Sequence, residues 1–432
     1  MQIIENDKIK EKMYIEKLEN GLDIIIIPKS GVKKKYIIWG IHFGSLDNKF
    51  KINGEEYSIP DGIAHYLEHK MFEQRNGSNS LDVLSSLGVN ANAYTTNDYT
   101  AYLYECTDNF YEALDEFMDY VQNPYYTDEN VNKERGIIEQ EIRMYDDYPE
   151  WDLYMNTMKL MYKNCPVNID IAGTVESIAD IDKEKLYLIY NNFYRPENMT
   201  IVFAGDIDKD EILQQIKSRI TLEKNKNNVE RLDVIEPEEI VEKEKINQKD
   251  ISMPIFIVGY KDKINEKTNM VKREIGLRIL CTIIFGKSSD LYRKLYEKGS
   301  IFSELGFDYE YARNYAHLYI QGQCINPKEV TQELKEEVDF YLQKGIEDKD
   351  FERIKKKIYG DFVKDYNDVS TIGNMALSTH FRGINLFDYF EEFNSIDKKY
   401  VENLLKEVFD ENKKVISITK PVNEDNIESN NK

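Results

Sequence analysis

Histidine is scarce in this chain, five in 432 residues, and so is anything that would make it basic, disulfide-bonded or membrane-spanning. With 57 Lys and Arg against 79 Asp and Glu the formal net charge is −22, which argues against a nucleic-acid binder, because phosphates demand a basic face. The four cysteines, Cys106, Cys165, Cys281 and Cys324, are scattered and make no C-x-x-C pair. Neither a disulfide frame nor a cysteine zinc site is expected from them; they read as reduced, buried thiols of a cytoplasmic protein. The stretch MQIIENDKIKEKMY is charged and lacks an apolar leader core, and no run approaches a membrane span. Proline (10) and glycine (21) are few, while 31 Tyr and 19 Phe supply apolar bulk, the profile of a chain with a large core.

Against that scarcity, two histidines stand four apart in GIAHYLEHKMFE, residues 62–73. Four helical residues turn through about 400°, so His65 and His69 share a face one turn apart, with Glu68 beside them. Two imidazoles and a carboxylate on one patch can hold a divalent metal and activate its water. The order H-x-x-E-H is the reverse of the commoner H-E-x-x-H. On many helices such residues are merely solvated, so the reading requires a third ligand, as catalytic zinc does. Downstream, NPYYTDENVNKERGIIEQEIRMYDD predicts a second helix, capped by Thr127, with Ile137, Ile138, Ile142 and Met144 as its apolar side. Glu134 and Glu141 lie seven apart, about two turns, and so project together. They offer a ligand and a supporting carboxylate.

The rest of the chain has a repeated grammar. KLENGLDIIIIPKS predicts two strands around Asn20-Gly21, and KKKYIIWGIHFGS and NMTIVFAGDI predict further strands. NANAYTTNDYTAYLYECT predicts a strand pair, and helices are expected around 108–122, 127–146 and 151–163. Asp61 is expected to cap the histidine helix and Gly77 to stop it. The charge-dominated segment 221–247 predicts a linker. After it the order restarts: a strand at ISMPIFIVGYKD, helices near 270–298, a strand pair at LGFDYEYARNYAHLYIQGQC, helices near 327–390 and a strand at KKVISITKP. The expectation is an α+β chain of two similar domains, each a mostly antiparallel β-sheet packed with helices. They would span 1–220, with the metal site, and 248–422, without one, followed by a polar, disordered tail at 423–432.

The stretches NGLDIIIIPKS, FGSLDN, DGIAHYLEHKMFE, NANAYTTNDYTAY, NPYYTDENVNKERGIIEQEI and NMTIVFAGDID, in this order and spacing, resemble the M16 (pitrilysin or insulinase) family of zinc metallopeptidases. The likeness is greatest to its short bacterial YmfH-like branch. The resemblance implies a metallohydrolase fold like those of LuxS and the mitochondrial processing peptidase. It makes His65, His69 and Glu141 ligands of one Zn2+ per chain, Glu68 the catalytic base and Glu134 a supporting carboxylate. It also implies that peptide adds as a strand along NANAYTT, so Asn92, Ala93 and Tyr94 are substrate-binding candidates.

The second half departs from the family. Many members carry an Arg and a Tyr seven apart in a segment like LREKxGLAY, whereas LYRKLYEKGSIFSEL here puts Tyr296 and Ser303 at those places. Arg293 and Tyr309 are available but at the wrong spacing. In two-chain members the zinc and the Arg/Tyr pair sit on different polypeptides, so a heterodimer with a related subunit lacking the zinc motif is expected, or otherwise a homodimer. The function implied is a zinc-dependent endopeptidase that cleaves short or unfolded peptides through metal-activated water, with no nucleic-acid or membrane partner. A dedicated maturation or leader-peptide protease would use the same chemistry. A non-catalytic scaffold is disfavoured by the intact His65, Glu68, His69 and Glu141 set. His42, His317 and His380 have no partners at ligand spacing and read as structural.

Overall fold

The computed structural model describes residues 1–263 and 268–422, so the tail expected at 423–432 lies outside the described residues. The chain forms two compact units. One comprises Met1–Ile142, Asp170–Asp233 and Phe362–Asp388; the other comprises Arg143–Ile169, Val234–Asp361 and the chain from Tyr389 onward.

The first unit holds β1 (Gln2–Asn6), β2 (Glu11–Lys17), β3 (Asp23–Pro28), β4 (Lys35–Ile41), β5 (Lys49–Ile52), β6 (Glu55–Ser58), β7 (Asn90–Thr95), β8 (Thr100–Cys106), β9 (Met199–Gly205) and β10 (Val229–Arg231). Seven of them make one sheet in the order β1-β2-β3-β9-β4-β8-β7, and β10-β5-β6 make a small second sheet. In the large sheet β3 and β9 run parallel and every other neighbouring pair is antiparallel. The Asn20-Gly21 turn joins β2 to β3 with Gly21 at φ +97° and the Asn20 side chain accepting from the Leu22 N–H. Ile24, Ile25, Ile26 and Ile27 are all buried, as a strand covered on both faces requires. Above the sheet the helix Phe110–Gln122 buries Leu114, Phe117 and Val121, and the Phe117 ring packs 6.3 Å from that of Trp39.

The second unit is built on β11 (Glu244–Lys249), β12 (Ile255–Asp262), β13 (Gly306–Ala312), β14 (Tyr315–Gln323) and β15 (Lys414–Pro421), in the order β11-β15-β12-β14-β13. Here β11 and β15 are the parallel pair and the rest is antiparallel. Numbered along the chain, these five strands lie first, fifth, second, fourth, third. The strands β3, β4, β7, β8 and β9 of the first unit lie in the same permutation, with the same parallel pair. Two similar mostly antiparallel domains, expected from the repeated grammar, are therefore present as a repeated topology.

The units do not follow the linear cut expected at 220 and 248. Each takes one helix from the other half of the chain: Val369–Phe381 packs on β4 and β9, and Pro149–Met161 packs on β12 and β15. Both contacts run over a strand glycine. A Cβ on Gly40 would meet Leu377 at 2.5 Å, and one on Gly259 would meet Met161 at 2.0 Å, so only glycine lets these helices lie so close. The segment 221–247 is likewise no bare linker. Val229–Arg231 pairs with β5, and β11 begins at Glu244 and runs parallel to β15. Strand pairing uses the backbone, so a run of charged side chains does not prevent it. Arg231 secures the first of these strands, its Nε donating to the fully buried Asp47 at 2.8 Å.

Candidate metal centre

The two histidines ride on a short helix, Ile63–Lys70, whose start is set by backbone contact and not by a side-chain cap. Gly62, not Asp61, is the N-cap residue, at φ +92° and with no capping side chain. Asp61 is engaged elsewhere: its side chain accepts from Asn48 at 3.1 Å and its carbonyl from the Ser177 hydroxyl at 2.8 Å. A Cβ on Gly62 would stand 2.4 Å from the Ala172 carbonyl oxygen, and one on Gly173 (φ +78°) 2.5 Å from that of Asp61. Two loops thus meet through paired glycines in the left-handed region, which side chains enter only with strain. The helix ends at Lys70 with Met71 as its C-cap, well before the expected stop at Gly77. Its Ile63, Ala64, Tyr66 and Leu67 are buried in the core, which leaves His65 and His69 to face a second helix.

That second helix is Asp128–Asp147. Thr127 caps it reciprocally with Asn130: the Asn130 N–H donates to the Thr127 hydroxyl at 3.1 Å and the Thr127 N–H to the Asn130 side chain at 2.9 Å. Its buried stripe is Val131, Ile138 and Ile142; Ile137 and Met144, expected on the apolar side, are instead 47% and 60% exposed. The stripe is narrower than the sequence suggested, and Glu134 and Glu141 each follow one of its members by three residues, at its border. The Tyr66 hydroxyl donates to the Val131 carbonyl and ties the two helices together.

Glu141 reaches both imidazoles. Its Oε1 lies 3.6 Å from His65 Nε2 and its Oε2 3.4 Å from His69 Nε2. Among the described residues His65, His69 and Glu141 form the group that could hold a metal, with ligand atoms within 4.8 Å of one another. Two ligands at about 2.0–2.1 Å from a tetrahedral ion stand about 3.3–3.4 Å apart, so these separations and this N,N,O donor set fit Zn2+. Glu134 holds the far side of one ring, its Oε1 3.1 Å from His69 Nδ1. His65 Nδ1 is buried and finds no hydrogen-bond partner among the described residues, so on that side only packing holds the ring. Glu68 lies next to His69, 7% exposed, and accepts a 2.5 Å hydrogen bond on Oε2 from the Thr95 hydroxyl.

The electrostatics divide the two histidines. Burial, and then the charge of His69, push His65 down to about 3, so its ring stays neutral with a lone pair free. For His69 burial also disfavours the proton, but the Glu134 hydrogen bond and the charges of Glu68, Glu141 and Glu134 outweigh it and the pKa rises. Burial raises Glu68 to about 7, against the opposing pull of the Thr95 hydroxyl and of His69. Glu134 is held below the usual carboxylate range: burial opposes its charge, but the His69 hydrogen bond and the Lys70 ammonium win.

The expected substrate strand is an open edge, since among the described residues β7 has only β8 as a neighbour in the sheet. The Thr96 N–H donates to the Tyr99 carbonyl at 2.8 Å, and antiparallel alternation then turns the backbone groups of Tyr94 and Asn92 towards β8 and those of Ala93 and Thr95 outward. The Ala93 N–H is met by the Asn92 side chain at 2.9 Å. Tyr94 differs from expectation, because its hydroxyl donates to Asn374 at 2.7 Å and its side chain serves internal packing.

In the second unit Tyr296 is exposed, Arg293 pairs with Asp290 at 2.8 Å, and the buried Tyr309 donates to Asp262 at 2.7 Å. Tyr309 is therefore committed internally. His42 stacks on Phe381 at 4.8 Å, His380 lies 3.2 Å from Asp23, and His317 is buried 3.0 Å from the Tyr162 hydroxyl, so none joins the metal group. Two residues of the site carried no signal in the sequence. Lys70 looks like a solvated helix lysine but is fully buried, 2.7 Å from Glu73 and 3.7 Å from Glu134. Thr95 looks like an ordinary strand threonine.

Comparison with known proteins adds to this geometry. The model of the insulinase (M16) peptidase family matches residues 41–175, and that of the M16 inactive domain matches 180–358. The chain is 37% identical over 412 residues to YmfH of Bacillus subtilis, an uncharacterized zinc protease, covering 94% of this chain and 95% of that one. A solved structure described as an M16-like peptidase, from Alicyclobacillus acidocaldarius, superposes with a TM-score of 0.91 at 29% identity, covering 95% of this chain and 98% of that one. A protease from Helicobacter pylori shares the fold at a TM-score of 0.83 and 19% identity, covering 95% and 100%.

Proposed function

This chain belongs to the M16 peptidase family, and from that premise we propose that it is a zinc-dependent endopeptidase acting on short or unfolded peptides. The observation that carries the proposal is the convergence of His65, His69 and Glu141 from two helices, with a buried carboxylate beside them and an open sheet edge next to that carboxylate. His65, His69 and Glu141 would hold one Zn2+, which when bound supplies a Lewis acid and an acidified water.

The protein's own groups have distinct tasks. Glu68 accepts the proton of the attacking water and returns it to the leaving amine, and its burial, which without metal raises its pKa to about 7, helps it to hold that proton between the two transfers. A cation at the neighbouring ligands favours its ionised, base-competent form. Glu134 keeps His69 Nδ1 occupied, so that Nε2 is the nitrogen presented to the ligand group. The substrate backbone pairs with the outward groups of Ala93 and Thr95, Asn92 swinging aside to release the Ala93 N–H. Such pairing reads backbone and not sequence, which suits extended, unfolded substrates. Tyr94 supports the strand and does not touch the substrate directly, its backbone groups facing β8 and its side chain being held by Asn374.

The absent Arg/Tyr pair, with Tyr309 committed to Asp262, supports a partner: a related subunit without the zinc motif that completes the oxyanion environment. The four cysteines are free and buried, which suits the reducing cytoplasm. Among the described residues no helix is long and apolar enough to cross a membrane. The test is to purify the chain from its native cell, determine metal and co-purifying polypeptides, and assay cleavage of unstructured peptides. One zinc per chain with turnover that Glu68→Gln abolishes supports the assignment. A chain that takes up no zinc, or cleaves equally well as Glu68→Gln, overturns it. Full activity of the isolated chain would remove the partner.

A further inference from the structure

Glu68 is buried on the helix Ile63–Lys70, but the last torsion of a glutamate is broad and nearly two-fold, so packing alone leaves its carboxylate plane loosely defined. A general base needs one oxygen aimed at its proton, and a hydrogen bond to the other oxygen is the simplest way to aim it. The Thr95 hydroxyl provides that bond at 2.5 Å to Oε2. A hydroxyl has a single proton, and an ionised carboxylate can only accept, so the Thr95 proton is directed to Glu68. The nearby Thr100 hydroxyl, 3.5 Å away, already donates to the Phe43 carbonyl at 3.0 Å.

Thr95 is also the last residue of the open edge strand β7. Side chains alternate along a strand, so Tyr94 and Thr95 point to opposite faces. On one face the Tyr94 hydroxyl donates to Asn374, whose amide in turn donates to the Tyr36 hydroxyl at 2.8 Å. This clamps the strand end to the helix Val369–Phe381. On the other face the same strand end reaches Glu68.

We propose that Thr95 is a positioning residue that fixes the Glu68 carboxylate through its hydroxyl, so that the strand which receives the peptide also orients the base. The inference rests on the peptidase reading above for its functional meaning, but its structural core can be tested without turnover.

The decisive pair is Thr95→Val, which keeps the shape and removes the hydroxyl, and Thr95→Ser, which keeps the hydroxyl. Crystals of the full chain without added metal give the first readout. In Thr95→Val the Glu68 carboxylate rotates or spreads over several orientations, and in Thr95→Ser it holds the wild-type one. Kinetics give the second. At equal zinc content Thr95→Val loses about 10–100-fold in kcat with KM little changed, the scale on which small misplacements of a reacting group act, and Thr95→Ser recovers most of it. A Glu68 carboxylate equally well ordered in the same orientation in Thr95→Val overturns the proposal, as does an unchanged kcat. If the carboxylate moves as expected but the wild-type chain cleaves no peptide with any partner, the positioning stands and the peptidase reading fails.

Discussion

Replacing Gly62 by alanine tests whether the meeting of two loops, and not a side-chain cap, sets the start of the histidine helix. Two costs arise at this position. An L-residue at φ +92° bears roughly 1–2 kcal/mol of left-handed strain. The new methyl would also lie 2.4 Å from the Ala172 carbonyl oxygen and 2.9 Å from its carbon, inside van der Waals contact with a backbone that cannot rotate away. Forced overpacking of this kind costs about 1–3 kcal/mol. Together the loss is about 2–5 kcal/mol. Gly54, in the turn between β5 and β6, isolates the first cost, because its φ is +88° but an added methyl there would meet nothing within 4 Å. Gly54→Ala should therefore lose only about 1–2 kcal/mol. Trp39 is fully buried in the first unit and Trp151 belongs to the second, so urea unfolding followed by fluorescence in a Trp151→Phe background reports the first unit alone. His65 stands three residues beyond Gly62, so the clash should also displace a ligand and weaken zinc binding by about 10–100-fold, the range seen when support for a metal site is lost. A Gly62→Ala chain no less stable than Gly54→Ala, with wild-type zinc affinity, would refute the argument.

Glu68→Gln should retain zinc and lose about 100-fold or more in kcat, the usual weight of a general base, whereas His65→Ala should lose metal and turnover together, as metal analysis beside a peptide assay will show. Because the metal-free His69 titrates above its ordinary 6.5, protons compete with metal there, and zinc affinity should fall as pH drops through that raised value. Glu134→Gln removes the first of the groups that raise it, so the fall should move to lower pH; a competitive zinc titration with an unmoved midpoint would count against this. Lys70→Met should destabilise the first unit by about 2–3 kcal/mol, since it strips a fully buried ammonium from Glu73 and Glu134 and leaves Glu134 with His69 as its close partner. Equal stability in urea would mean that water reaches those carboxylates.

Much of the site was legible because its signals are local. His65 and His69 are four apart and Glu134 and Glu141 seven apart, and helical periodicity alone places each pair on one face. The Asn20-Gly21 turn and the alternation of NANAYTT identify β2, β3, β7 and β8 in the same way, since turn chemistry and strand period act over a few residues. Local signals were also where expectation went astray. Asp61 is a good capping residue by type, but the Ser177 hydroxyl and the Gly62–Ala172 contact arrive from more than a hundred positions away and settle the matter differently. Ile137 and Met144 fit an apolar stripe that the core did not need.

Which side chains share a helix face or a strand face is legible before any folding is known, because it depends on the repeat of the backbone. What lies opposite each face came from the folded chain. It turned Glu141 towards both imidazoles, sealed Lys70 among carboxylates, brought Thr95 to Glu68, and exchanged the helices Pro149–Met161 and Val369–Phe381 between the two sheets. The physical reason is that burial and hydrogen bonding depend on what the rest of the chain brings into contact, whereas backbone period depends on a residue's near neighbours.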